Sequence, residues 1–133
     1  MNSQRMFGVK VFLEFSAAHH IRGYDGECSR PHGHNFKVEI EAQTPGLNSI
    51  GIAFDFKDLK RLAKELVDRF DHQDLNTVEP FIKEINPTAE TLCQYFFEEL
   101  ERKISRVDAL KNLTLRKVTI LENERSAATS GIL

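Results

Sequence analysis

The sequence predicts an α+β fold with the element order β-β-α-α-β-β, in which two helices cover one face of a four-stranded sheet. Two segments near the start of the chain alternate apolar and polar residues, as strands with one buried face do. Two segments in the middle repeat apolar residues at the spacing of amphipathic helices. The last part of the chain returns to alternation. At 133 residues, the chain is expected to form one domain over residues 1–133.

The first two strands are expected at about Phe7 to Ala18 and about His34 to Gln43. Each strand has one apolar parity, and a polar loop with Gly23 and Gly26 separates the two. We therefore expect an antiparallel hairpin centred near Gly26. In such a hairpin, residues at equal distances from the turn lie opposite each other.

The first helix is predicted over Phe56 to Phe70 with Asp55 as N-cap, and the second begins after Thr88 and runs to about Lys103. A third strand is expected at about residues 112–122, where the alternation slips at Arg116-Lys117 and suggests a bulge. A weak fourth strand follows at about residues 127–133. These strands leave one sheet face without helices, so we expect the chain to associate with copies of itself.

Composition excludes several classes of function. The chain is 41% hydrophobic and 29% charged, with a net charge of −2, so it lacks the basic surface of a nucleic-acid-binding protein. No apolar run approaches the roughly 20 residues of a membrane span. The N-terminus does not resemble a signal peptide, and two cysteines do not form a disulfide framework. We expect a cytoplasmic protein.

Three histidines form the strongest local signal. His19, His32 and His34 all fall on the inward parity of their strands, and the hairpin places His19 opposite the other two. Inward polar side chains need partners, and three histidines are a common ligand set for catalytic zinc, with one position left open. The alternative is a pair of exposed loop histidines and a buried, hydrogen-bonded His19. His20 has the opposite parity and is expected to face solvent.

The two cysteines occupy different environments. Cys28 lies in the polar loop just before His32, where a nearby metal would lower the pKa of its thiol and make it a base or nucleophile. Cys93 lies on the apolar stripe of the second helix, where core packing is expected.

Two acidic positions are further candidates. Asp71-His72 follows the first helix, and a His–carboxylate pair can transfer protons, although the residues alone slightly favour a capping or surface pair. Glu122 shares the inward parity of the third predicted strand. It could accept two parallel hydrogen bonds from a guanidine-like ligand edge, or be an ordinary surface residue.

Taken together and in order, these motifs resemble the 6-pyruvoyltetrahydropterin synthase family. The resemblance covers nearly the whole chain and rests on Phe15-Ser16-Ala17-Ala18-His19, Cys28-x-x-x-His32-Gly33-His34, Gly51-Ile52-Ala53-Phe54-Asp55-Phe56, Asp71-His72-x-x-Leu75-Asn76, Pro87-Thr88-Ala89-Glu90 and Glu122. The three-residue spacing between Cys28 and His32 is similar to that of the bacterial branch, the 6-carboxytetrahydropterin synthases of queuosine biosynthesis.

The resemblance implies a tunnelling fold (T-fold) with a four-stranded antiparallel sheet, assembled as a homohexamer of two trimers with sites between subunits. It implies a lyase in which His19, His32 and His34 hold zinc. Cys28, Asp71 and His72 would be catalytic, and Glu122 with Thr88 would bind the pterin. The implied substrate is 7,8-dihydroneopterin triphosphate, and the implied product is the 6-carboxy or the 6-pyruvoyl tetrahydropterin.

Two other interpretations compete with this one. The spacing of Gly26, His32, His34, Glu39 and Gly46 fits the first cupin motif, but Glu39 has the opposite parity to His34 and no second cupin motif follows. The other is a non-catalytic oligomeric module with structural zinc. It would gain support if Cys28 were a fourth ligand, because structural zinc sites are usually closed by four ligands.

Overall fold

A computed structural model describes residues 5–133. Within this range the chain forms five strands and two α-helices, namely β1 (Phe7–His19), β2 (His32–Thr44), α1 (Phe56–Phe70), β3 (Gln73–Asp74), α2 (Ala89–Ser105), β4 (Thr114–Leu121) and β5 (Ala127–Gly131). The predicted α+β class and the order of the two helices and four main strands are confirmed. No helix in the described range has the length and apolar character needed to cross a bilayer.

The sheet has five strands in the order β3-β1-β2-β4-β5, so the prediction of four strands is wrong by one. The additional strand, β3, has two residues and pairs in parallel with β1 at Ala17 and Ala18. The other pairs are antiparallel. A two-residue strand leaves no alternation to detect. Its position depends on the Asp71 carboxylate, which accepts a 2.9 Å hydrogen bond from the Ser16 backbone.

The first hairpin has the predicted register. His19 lies opposite His32 and Ala17 opposite His34, and the pairing continues to Phe7 opposite Thr44. Most inward residues of both strands are buried, from Val11 to His19 except Leu13 and from Phe36 to Thr44, while their outward neighbours are exposed or half-buried. Because a slip of one residue would turn every apolar side chain outward, burial fixes this register, and with it the positions of the histidines.

The interruption predicted in β4 is a bulge. Glu41 lies opposite Lys117 and Ala42 opposite Leu115, which leaves Arg116 as an extra residue. Gly131, which ends β5, lies against this bulge with φ of 145°. A Cβ atom there would lie 2.1 Å from the carbonyl oxygen of Arg116, so only glycine fits.

Both helices pack on the same face of the sheet, α1 against β1 and α2 against β4 and β5. Asp55 caps α1 by accepting the backbone N–H of Lys57 at 2.9 Å, as predicted. The centre of the core is a group of phenylalanines from the sheet and both helices, Phe15, Phe36, Phe70 and Phe96. Burying each of these rings contributes about 1.5–3 kcal/mol.

The opposite sheet face carries exposed and charged side chains. Lys10 pairs with Glu39 at 3.2 Å and Lys117 with Glu41 at 3.4 Å, while Phe12, opposite Glu39, is 63% exposed. The prediction that this face is not covered by helices is confirmed. The predicted association with other copies of the chain remains a prediction.

Candidate metal and catalytic site

Three histidines meet at the end of the sheet where β1 stops and β2 starts. The candidate ligand atoms of His19, His32 and His34 all lie within 4.8 Å of one another. The ring centroids are 4.5 Å apart for His19 and His32, and 4.9 Å apart for His32 and His34. Among residues 5–133, this cluster contains no cysteine or carboxylate. The three side chains therefore form the group that the strand parities predicted.

Hydrogen bonds fix the tautomers of two of these rings. Nδ1 of His19 lies 2.7 Å from the carbonyl oxygen of Pro87, and Nδ1 of His32 lies 2.8 Å from that of Arg30. A carbonyl oxygen only accepts, so both Nδ1 atoms carry a proton and donate it. Each Nε2 atom is therefore the ring nitrogen left to bind a metal, which is the usual arrangement of metal-ligating histidines.

Two of the ring nitrogens are buried without a hydrogen-bond partner. Within the cluster these are Nε2 of His19 and Nε2 of His34, and the third such side-chain atom in the described part of the chain is Nδ1 of His20. A buried polar atom without a partner costs about 1–3 kcal/mol, so folded proteins rarely leave one. A metal ion bound by the three rings would satisfy both atoms. This arrangement fits a divalent cation that prefers nitrogen ligands.

The environment keeps His19 neutral. Burial lowers the pKa of His19 below its ordinary value of 6.5, and the nearby His32 and His34 lower it further. The hydrogen bond to Pro87 and the charge of Glu122 act in the opposite direction with smaller combined effect. A neutral imidazole is the form that binds metal, so His19 is prepared for this role without deprotonation.

Glu122 lies beside the cluster. It follows β4, and one of its carboxylate oxygens is 3.9 Å from Nε2 of His19, with 27% of the side chain exposed. The predicted inward direction of Glu122 is confirmed. The same carboxylate lines a pocket of about 440 Å³ that also contains His34 and Lys37. A ligand in this pocket would reach both Glu122 and the histidine cluster.

Cys28 lies on the loop between β1 and β2, in a single 3₁₀ turn at Glu27–Ser29, and its side chain is exposed. Its carbonyl oxygen accepts a 2.7 Å hydrogen bond from the backbone N–H of Ile21. Cys93 is buried, as predicted, and burial raises the pKa of its thiol to about 11. The two thiols therefore differ in reactivity, and Cys28 is the available one.

Asp71 and His72 form an ordered pair at the outer edge of the sheet. Nδ1 of His72 lies 3.0 Å from the carboxylate of Asp71, and the Ser16 backbone binds both residues. The hydrogen bond from the Ser16 N–H lowers the pKa of Asp71, and His72 lowers it further. His72 and His34 line one pocket of about 520 Å³. This pocket and the pocket of Glu122 share Gly33, His34 and Asn35.

Thr88 is the N-cap of α2, as predicted. Its hydroxyl accepts a 3.0 Å hydrogen bond from the backbone N–H of Thr91, and the Thr91 hydroxyl accepts one from the Thr88 N–H. The Thr88 side chain is thus engaged in the cap. Its predicted contact with a ligand remains a prediction.

Two asparagines near the site were missed by the sequence reasoning. Asn76 binds the backbone of His20, and Asn86 binds the backbone of Arg22. His20 is half-buried against Asn76, so the expectation that it faces solvent is wrong. Asn76 is the last residue of the Asp71–Asn76 motif, and Asn86 directly precedes the Pro87–Glu90 motif. An asparagine in a loop gives no sequence signal that separates a side chain that binds a distant backbone from an ordinary turn residue.

Comparison with known proteins identifies the family. The family model described as 6-pyruvoyl tetrahydropterin synthase matches residues 8–131. The chain belongs to the 6-pyruvoyl tetrahydropterin synthase family. It is therefore an enzyme of the tetrahydropterin synthase type, a lyase. Membership excludes the cupin alternative, and the outward pairing of Glu39 with Lys10 agrees with this.

Relatives with two different names match the chain over most of its length. It is 39% identical to an Archaeoglobus fulgidus protein that is provisionally named a 6-carboxy-5,6,7,8-tetrahydropterin synthase, over 93% of each chain. It is 30% identical to the 6-pyruvoyl tetrahydrobiopterin synthase of Dictyostelium discoideum, over 94% of this chain and 84% of that one. The solved structure of Caenorhabditis elegans 6-pyruvoyl tetrahydropterin synthase superposes with a TM-score of 0.80 at 25% identity, covering 98% and 99% of the two chains.

Proposed function

We propose that this enzyme uses zinc to convert 7,8-dihydroneopterin triphosphate to 6-carboxy-5,6,7,8-tetrahydropterin, with release of triphosphate and acetaldehyde, as a step toward queuosine. The observation that carries the proposal is the cluster of three histidines whose candidate ligand atoms lie within 4.8 Å of one another, with Glu122 beside His19. The identity to the Archaeoglobus fulgidus relative supports the carboxy product over the pyruvoyl product.

The donor set fits zinc. Three imidazole nitrogens with no fourth protein ligand in the cluster are typical of catalytic zinc, which keeps one position for water or substrate. His19, His32 and His34 would hold the ion. When bound, zinc supplies a Lewis acid that lowers the pKa of hydroxyl groups on the substrate side chain. The absence of Cys28 from the cluster argues against the alternative of a structural, four-ligand zinc site.

Cys28, Asp71 and His72 would transfer the protons. Cys28 is exposed and free, so its thiolate can take a proton from a substrate carbon and return it to the neighbouring carbon. Asp71 accepts the Nδ1 proton of His72, which leaves Nε2 of His72 as the atom that exchanges protons with substrate or thiol. His72 lies on the outer edge of the sheet, so in an oligomer it could serve the Cys28 of a neighbouring subunit.

Glu122 would bind the pterin. The amino-pyrimidine edge of a pterin presents two parallel N–H donors, and a carboxylate accepts both at once. Glu122 is partly exposed at the pocket next to the cluster, so it can hold the ring while the side chain of the substrate reaches the metal. Thr88, at the N-terminus of α2, is a second candidate contact, through its backbone or hydroxyl.

We further propose that the enzyme is a cytoplasmic homohexamer of two trimers. Two observations support association: one sheet face is not covered by helices, and Phe12 is exposed on it. The candidate pair Asp71-His72 also lies at the outer edge of the sheet, so it could complete the site of a neighbouring subunit.

The alternative product is 6-pyruvoyl tetrahydropterin, as in the names of the Dictyostelium discoideum and Caenorhabditis elegans relatives. The two outcomes differ by one water: elimination of triphosphate alone gives the pyruvoyl compound. Uptake of water and cleavage of the side chain give the carboxylate and acetaldehyde. The products therefore separate the two proposals directly.

The test is product analysis by mass spectrometry. Zinc-loaded protein is incubated with 7,8-dihydroneopterin triphosphate beside a Cys28→Ala control that is checked for its zinc content. The carboxytetrahydropterin and acetaldehyde are expected from the native enzyme and not from the control. The pyruvoyl product would replace the carboxy proposal by its alternative. No turnover by folded, zinc-loaded protein would overturn both and favour a different substrate.

A further inference from the structure

The chain that leaves β1 is held by two asparagine side chains. The amide of Asn76 accepts the His20 N–H at 2.9 Å and donates to the His20 carbonyl at 3.1 Å. The amide of Asn86 accepts the Arg22 N–H at 2.9 Å and donates to the Arg22 carbonyl at 2.8 Å. Each amide thus satisfies both backbone groups of one residue, as a strand neighbour would.

The residue between these two contacts binds the cysteine loop. The Ile21 N–H donates to the carbonyl oxygen of Cys28 at 2.7 Å. In an extended segment, successive residues direct their hydrogen-bonding groups to opposite sides. The His20–Arg22 segment therefore has asparagine amides on one side and the backbone of Cys28 on the other. It links the connection between the helices to the loop that presents the thiol.

Both asparagines are themselves held firmly. Asn76 is 8% exposed, and its backbone N–H donates to the carboxylate of Asp74 at 3.0 Å. Asn86 directly precedes Pro87, whose carbonyl binds His19, and Thr88, which caps α2. The Arg22 guanidinium adds bonds to the carbonyls of Phe81 and Ile85, at 2.9 and 2.7 Å. The segment is thus attached to rigid parts of the fold at several points.

We propose that Asn76 and Asn86 are positioning residues: their side-chain amides fix the His20–Arg22 segment, and this segment fixes the backbone of Cys28. Without them, Cys28 would stand on an exposed loop with little to hold it, because the 3₁₀ turn at Glu27–Ser29 buries no residue. The catalytic consequence rests on the proposed function of Cys28. The mechanical consequence, a loop that loosens when the amides are altered, does not.

The test uses near-isosteric variants of the full-length protein. Asn76→Asp and Asn86→Asp keep the acceptor for each N–H but place an oxygen against the His20 or Arg22 carbonyl, so one hydrogen bond becomes a repulsion. Asn48→Asp is the matched control. Its side-chain oxygen accepts the N–H groups of Ile50 and Ile52 in a distant loop, and an aspartate can keep both bonds.

Two measurements are made on zinc-loaded protein. Amide hydrogen exchange of peptides covering residues 20–28 is expected to be about tenfold faster in the two test variants and unchanged in the control. In turnover assays, kcat is expected to fall by about a hundredfold, the loss that a displacement of about 1 Å can produce. KM and zinc content should remain within about twofold, because the pterin and metal contacts are untouched.

A third test variant acts on the link itself. Ile21→Pro removes the N–H that binds Cys28 and leaves both asparagine amides in place, so it should give the same loss of kcat and faster exchange at residues 26–29. Native exchange and kcat in all three variants would overturn the proposal. If the variants lost zinc while kcat per bound zinc stayed unchanged, the proposal would also be overturned. The substitutions would then act through the neighbouring His19 and the metal site, and not through Cys28. An inactive wild-type enzyme would refute the proposed function, while the exchange data would still decide the mechanical claim.

Discussion

Zinc binding is expected to stabilise the folded protein strongly, since the metal would satisfy two buried ring nitrogens. In the metal-free protein, Nε2 of His19 and Nε2 of His34 each cost about 1–3 kcal/mol as unpaired polar atoms. At a free zinc concentration of about 1,000 Kd, binding to the folded state alone adds about 4.1 kcal/mol. The core forms without the histidines, so the metal-free protein should still fold.

The expected change in Tm follows from the size of the chain. The entropy of unfolding is about 2.1 cal/mol/K per residue, or about 280 cal/mol/K for 133 residues. Dividing the stabilisation of about 4.1 kcal/mol by this entropy gives a rise in Tm of about 15 °C. The assay is thermal unfolding followed by circular dichroism, because the chain has no tryptophan for fluorescence. Samples with zinc and with chelator are compared at one protein concentration, since association also affects Tm.

Two variants make the prediction specific to the histidine cluster. If His34→Ala weakens binding by about a thousandfold, the same zinc concentration adds only about 0.4 kcal/mol and raises Tm by about 1.5 °C. His72→Ala should keep the full shift, because the His72 side chain is 81% exposed at the outer edge of the sheet. Equal Tm values with and without zinc, or a full shift in His34→Ala, would refute the assignment of the site.

Three further predictions concern the groups around the cluster. Glu122→Gln should raise KM for the pterin about ten- to a hundredfold without loss of zinc, because a charged hydrogen-bond acceptor becomes neutral. Steady-state kinetics and metal analysis check this. An unchanged KM would exclude Glu122 as the residue that binds the pterin ring. Iodoacetamide at pH 8 should label Cys28 in folded protein and spare Cys93, because burial raises the pKa of the Cys93 thiol to about 11. Peptide mass spectrometry identifies the labelled sites. Equal labelling of the two cysteines would contradict the burial of Cys93. In metal-free protein the folded-state pKa of His19 lies below 6.5, so its stabilising contribution is complete above the unfolded-state pKa and is lost as pH falls through the folded-state pKa. Urea unfolding between pH 7.5 and 5 should show this loss in the native protein and a shallower slope in His19→Phe.

The parts of the fold that follow from a simple repeat were predictable. Alternation gave the inward parity of His19, His32 and His34, and the symmetry of the hairpin then placed them together. The apolar spacing of α1 gave its limits, and the slip at Arg116 marked the bulge. In each case one physical requirement, the burial of an apolar face, fixes many residues at once.

The parts that depend on single long-range contacts were not predictable. Strand β3 has two residues and is placed by Asp71 binding Ser16, which is 55 positions away in the sequence. The contacts of Asn76 with His20 and of Asn86 with Arg22 span 56 and 64 positions. No pattern in the sequence announces such pairs, because each one involves a single side chain and the backbone of an unrelated segment.

The two kinds of candidate catalytic group are therefore held in different ways. The proposed metal ligands belong to paired strands, so their separation is set by the hairpin register and by the core beneath it. Cys28 belongs to a loop, and its backbone depends on a chain of side-chain hydrogen bonds through the His20–Arg22 segment. The paired strands keep their geometry when one hydrogen bond breaks, because many others remain. The loop of Cys28 has only a few side-chain hydrogen bonds, so losing one of them displaces its backbone. Changes in the asparagine links should for this reason reduce turnover long before they affect metal binding or the stability of the fold.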